Sequence, residues 1–166
     1  MPMRSPVNFN AAVCAGIVAG ILATAVQIAL WSVFTDALPT ILFRDARFAA
    51  AIVMGRRVLP PPASFDPTVM LVATLVHFAL SIAYGLALSA LIRRLRTLPS
   101  IFAGAVFGLC LYGINMYGFT VVFPWFQAAR DPITLATHAA FGTAAAGAYK
   151  MLSQRFVRAR RETHNI

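Results

Sequence analysis

The sequence predicts an all-α integral membrane protein: a four-helix bundle running up-down-up-down, with a short interfacial helix between the first and second spans. Three observations carry that prediction. Apolar residues make up 60% of the 166-residue chain and charged residues 11%, with a mean hydropathy of +0.76, whereas a soluble domain has roughly 45–50% apolar and about 25% charged residues. Four apolar stretches, 11–34, 68–92, 100–123 and 133–149, approach the roughly 20 residues that cross a hydrocarbon core. The lysines and arginines fall between and beyond these stretches, not within them. Each span must be helical, because an unpaired backbone amide in lipid costs several kcal/mol. One transmembrane domain accounts for residues 1–166.

The first span begins like a secretory signal, with Arg4 ahead of an apolar run and Ala23-Thr24-Ala25 as a small-x-small triplet. The run continues to Phe34, too long for a signal core, so the span is expected to be retained. Cys14 has too little apolar sequence before it to be a lipoprotein cysteine. Residues 36–66 are too many for a tight turn and too charged to cross. Within them, Arg44, Arg47, Arg56 and Arg57 flank an apolar centre at 48–54. That pattern predicts a short helix over 43–58 on the outer surface, arginines towards headgroups, and a candidate lid over the bundle. Pro60-Pro61-Pro62 then forces an extended lead into the second span.

Asp66-Pro67 and Asp131-Pro132 each read as an aspartate N-cap with proline at the first helical position, opening the second and fourth spans. Leu98-Pro99-Ser100 opens the third in a similar way. Trp31, Pro124 and Trp125 sit where interfacial residues anchor. No glycine- or proline-broken span is expected. Small residues four apart recur in every span: Gly16/Gly20, Ser81/Gly85/Ser89, Gly104/Gly108 and Ala139/Thr143/Gly147. Such stripes let helix backbones approach closely, against each other or against another subunit.

Charge sets the orientation. With four spans, one side holds Arg4, Arg93, Arg94, Arg96, Lys150, Arg155, Arg158, Arg160 and Arg161; the other holds Arg44, Arg47, Arg56, Arg57 and Arg130. The positive-inside rule then puts both termini in the cytoplasm, with Asp36, Asp45, Asp66 and Asp131 all outside. The net charge of +9 does not indicate nucleic acid, since the basic residues flank spans instead of lining a soluble face. The basic cytoplasmic tail, 150–166, suits contact with anionic lipid or docking of a partner through Arg155, Arg158, Arg160 and Arg161.

Each span carries an uncharged polar residue in its outer half: Gln27, His77, Asn115 and His138, roughly 9–15 Å below the outer boundary at 1.5 Å rise per residue. Tyr112, one turn from Asn115, shares its face. Polar groups at this depth face protein or a water-filled cavity. They serve either as interhelical packing contacts or as a ligand layer. His77 and His138 are candidate axial ligands of a b-type haem, although they lie 11 and 7 residues after their capping aspartates, one turn out of step. A quinone bonded by one histidine is the other cofactor option. No metal site is expected, because no carboxylate or cysteine matches their depth. No Asp or Glu lies inside a span, and no catalytic arrangement is present. Cys14 and Cys110 read as small apolar fillers.

Leu59-Pro60-Pro61-Pro62-Ala63, Asn115-Met116-Tyr117-Gly118-Phe119, Phe123-Pro124-Trp125-Phe126 and His138-Ala139-Ala140-Phe141-Gly142 resemble motifs of short bacterial four-helix inner-membrane proteins. Some of these carry the label "sodium:proline symporter", and the layout is loosely similar to YagU-type proteins. The resemblance implies a bacterial inner-membrane location and the four-helix fold. Two functions are consistent with the residues. One is a non-catalytic accessory or structural subunit of a larger respiratory or photosynthetic complex, in contact with lipid and other membrane subunits. The other is a self-standing homo-oligomer that binds haem or a quinone, or passes a small solute, at His77 and His138.

Overall fold

A computed structural model describes residues 7–164, with side chains described through residue 156. All regular structure among the described residues is helical. The α-helices are α1 (Phe9–Phe34), α2 (Thr40–Met54), α3 (Pro67–Ile92), α4 (Thr97–Gly113) and α5 (Pro132–His164). Three segments are long and apolar enough to cross a membrane: Phe9–Phe34, Pro67–Ile92 and Thr97–Val121. These match the first three expected stretches. The fourth, within α5, is less apolar because Thr134, Thr137, His138 and Thr143 interrupt it.

The caps follow from the residues that flank each run. Asp66 accepts from Thr68 N at 2.9 Å and Val69 N at 3.1 Å. Asp131 accepts from Thr134 N and from Thr134 Oγ1, both at 2.9 Å. Asn8, not foreseen as a cap, accepts from Ala11 N at 3.1 Å and starts α1 two residues earlier than hydropathy alone implies. α5 continues past the apolar stretch into the basic tail. Lys150, only 8% exposed, closes the other end of α3. Its ammonium donates to Ile92 O at 2.7 Å, which also accepts from Leu95 N at 2.9 Å, and to Leu95 O at 2.6 Å in the turn after the helix.

Packing follows the small residues. α1 lies between α3 and α5, and α5 between α1 and α4, while α3 and α4 touch little despite their short connection. The Gly16/Gly20 stripe meets Ser81 and Gly85 of α3, in antiparallel register. A Cβ on Gly16 would lie 2.6 Å from Ser81 O and 2.8 Å from Ile82 Cα. Gly104 and Gly108 meet Gly142 and His138 so closely that any side chain there would overlap the facing backbone. The stripes therefore face one another within the chain. One detail differs from expectation: Gly142 fills the α5 seam, whereas Gly147 has open space beside it. Large apolar side chains on the outer faces, such as Leu71, Leu75 and Phe102, remain exposed.

The third expected span is not one regular helix. Its α-geometry stops at Gly113, and a π-helical turn, Ile114–Gly118, and a 3-10 turn, Phe119–Val121, continue it. The freed carbonyls find partners: Arg130 donates to Met116 O at 2.6 Å, and Thr120 donates to Tyr117 O at 2.9 Å. Such π turns are frequent at functional sites. Cys14 and Cys110 are exposed free thiols, on outer faces and not in the interior as fillers would be.

Candidate functional site

The half of the bundle beneath α2 holds a partly open cavity of about 490 Å³. Gln27, His77, Asn115 and His138, each from a different apolar stretch, all line it. The remainder of the wall is largely apolar and includes Leu80, Met116, Phe123 and Phe141. Size and composition match small-molecule sites, which occupy roughly 300–1,000 Å³ and place a few polar groups in an apolar wall.

The polar groups form two sets with a defined donor sense. In the first, Tyr84 Oη donates to Asn115 Oδ1 at 2.9 Å. Asn115 Nδ2 then lies 3.3 Å from His138 Nε2, and His138 Nδ1 lies 2.8 Å from Thr134 O. A carbonyl only accepts, so Nδ1 carries the proton and Nε2 accepts from the asparagine amide. His138 is thereby a neutral ring with both nitrogens engaged. The π turn presents Asn115 to these partners, and a helix bent out of α-geometry is tolerated at this depth because it lines a cavity. In the second set, His77 Nε2 lies 3.3 Å from both Gly20 O and Thr24 Oγ1, which puts its proton on Nε2 and its lone pair on Nδ1.

Gln27 lines the cavity without a side-chain hydrogen bond among the described residues. Thr137 also lines it; it is 7% exposed, and its Oγ1 has no partner among the described residues. Tyr112 packs edge-on against His138 at 5.6 Å and stands behind the cavity wall, not in it. Tyr84 was not singled out from the sequence, and Ser81 and Thr24 were read only as part of a packing stripe and of a small-x-small triplet. The signal was present: Ser81 and Tyr84 follow His77 by 4 and 7 residues, the spacing of one helical face.

Iron ligation by His138 through Nε2 would replace the 3.3 Å contact with Asn115 Nδ2 and would leave the Nδ1 bond to Thr134 O in place. Among the described residues, no three His, Cys, Asp or Glu side chains gather as a metal site.

α2 lies against the cavity. Ala49, Ile52 and Val53 form part of the cavity wall. Trp125 Nε1 donates to Phe48 O at 3.1 Å, and the Phe48 and Phe126 rings meet edge-on at 6.1 Å. The arginines of this segment were expected to face headgroups. Arg47, half-buried, donates to Val58 O at 3.1 Å and to Ser64 O at 3.1 and 3.3 Å, tying α2 to the segment that follows it, while Arg44 pairs with Asp45 at 2.8 Å. Burial raises the Asp45 carboxyl above its ordinary value; Arg44 opposes that shift, and nearby Asp131 adds to it. Arg56 and Arg57 are exposed.

Arg155 in the tail is exposed, and the side chains of Arg158, Arg160 and Arg161 fall outside the described residues. No protein-family model, curated protein or solved structure matches this chain.

Proposed function

We propose that the chain crosses a bacterial inner membrane four times, up-down-up-down with both termini cytoplasmic, and holds one small amphipathic molecule in the cavity beneath α2. The observation that supports this most is the convergence of Gln27, His77, Asn115 and His138 on one largely apolar cavity. α5 is the fourth crossing in this reading. It is more polar than the others, and its place between α1 and α4 shields it from lipid. The second amide hydrogen of Asn115 suits a quinone carbonyl, and the lone pair of His77 Nδ1 suits a hydroxyl of the corresponding quinol. Mass spectrometry of the organic extract of protein purified from native membranes tests the proposal. A single quinone-like compound near one per chain supports it; an extract holding only bulk phospholipid counts against it.

A second reading, an accessory subunit of a larger respiratory or photosynthetic complex, draws on the small size and on the apolar side chains left exposed along α3 and α4. The small-residue stripes no longer argue for it, because they face each other within the chain. A fixed set of companion subunits in mild-detergent purification favours that reading, and a lone homo-oligomer favours the first.

A further inference from the structure

The outer ends of α1 and α5 and the flank of α2 border a second groove, of about 620 Å³, separate from the cavity around Asn115. Its wall is mostly apolar, including Leu30, Phe34 and Ile133, and its charged residues are Arg44 and Asp131. Trp31 also lines it and is only 2% exposed. The indole Nε1 of Trp31 and Nη2 of Arg44 are buried without a hydrogen-bond partner among the described residues. Unpaired buried donors favour an acceptor brought from outside.

The Arg44 arm is tied through Nε to Asp45, lies over the Phe48 ring at 5.5 Å, and keeps 27% of its side chain exposed. Its Nη2 stays unpaired among the described residues, on a side chain that lines the groove. Asp131 lines the same groove as Arg44 and Trp31, so its wall combines unpaired anion donors with one carboxylate. A purely anionic group satisfies half of that pattern, and a group bearing both signs satisfies all of it.

We propose that this groove binds an aminophospholipid, a lipid whose headgroup carries a phosphate and a primary ammonium. The phosphate accepts from Arg44 and Trp31, the ammonium faces Asp131, and an acyl chain lies along Leu30, Phe34 and Ile133. The site is independent of any ligand beneath α2.

Native mass spectrometry of the full chain in mild detergent tests this with three probes: phosphatidylethanolamine, phosphatidylglycerol and free phosphoethanolamine. The expected result is phosphatidylethanolamine held at least about tenfold more tightly than phosphatidylglycerol, as one extra charge-assisted hydrogen bond provides. Trp31→Phe keeps the ring and removes the N–H, and is expected to weaken phosphatidylethanolamine about tenfold. Asp131→Asn keeps a good helix cap while removing the charge, and is expected to bring the two lipids within about twofold. Equal retention of both lipids by the unaltered protein overturns the proposal, as do Trp31→Phe and Asp131→Asn variants that bind like it. Free phosphoethanolamine bound as tightly as the lipid overturns the lipid as the ligand's source.

Discussion

Replacing Gly16 by alanine adds a single methyl group at the seam between α1 and α3. That methyl would sit 2.6 Å from Ser81 O and 2.8 Å from Ile82 Cα, both backbone atoms that no rotamer change can move aside. Ordinary contacts lie near 3.5–4.0 Å, so the two helices must separate by about 1 Å. A gap of that size forfeits roughly a quarter to a half of each dispersion contact along the seam, and overpacking of this kind costs about 1–3 kcal/mol. The same displacement acts one turn further on, where His77 Nε2 lies only 3.3 Å from Gly20 O and Thr24 Oγ1. Both contacts would pass the limit of a hydrogen bond. Gly147→Ala is the control: it makes the same chemical change on a helix where nothing lies within 4 Å. Unfolding of both variants in lipid nanodiscs, followed by circular dichroism, is expected to show Gly16→Ala destabilised and Gly147→Ala unchanged or slightly stabilised. Equal midpoints for the two would refute the reasoning that close backbone approach holds α1 to α3.

Lys150→Met removes the donor that Leu95 O and Ile92 O share at 2.6 and 2.7 Å, and is expected to cost about 1–3 kcal/mol in the same unfolding assay. Solid-state ¹⁵N NMR of histidine-labelled protein is expected to show opposite tautomers, with the proton on Nδ1 of His138 and on Nε2 of His77; a shared tautomer would contradict the hydrogen-bond assignments. Trp125→Phe removes the donor to Phe48 O and loosens α2. In a background of Cys14→Ser and Cys110→Ser, maleimide labelling of Ala49→Cys is then expected to accelerate several-fold.

Much of this was legible in the sequence, for identifiable reasons. The Asp-Pro pairs place the starts of α3 and α5 because capping and proline stereochemistry are local. The four polar residues were identifiable because their burial in lipid needs a reason wherever they occur. Their depth could be read from the chain; their convergence on one cavity could not, since it depends on how the helices turn about their axes. The π turn was hidden for a similar reason: Asn115 and Gly118 look helical until the partners of Arg130 are known. Arg47 looked like a headgroup ligand because its acceptors, Val58 O and Ser64 O, are backbone atoms of residues that advertise nothing. Gly142 in place of Gly147 shows the limit of spacing rules, which fix a face only to within a residue or so.

The most direct test of the central claim is equilibrium dialysis of a short-tailed quinone and, separately, its quinol against the chain in nanodiscs, compared with Asn115→Leu for the quinone and His77→Ala for the quinol. Saturable binding of one ligand per chain is expected, weakened at least about tenfold in the matching variant. Non-saturable uptake that matches empty nanodiscs and is the same in all three proteins would contradict it.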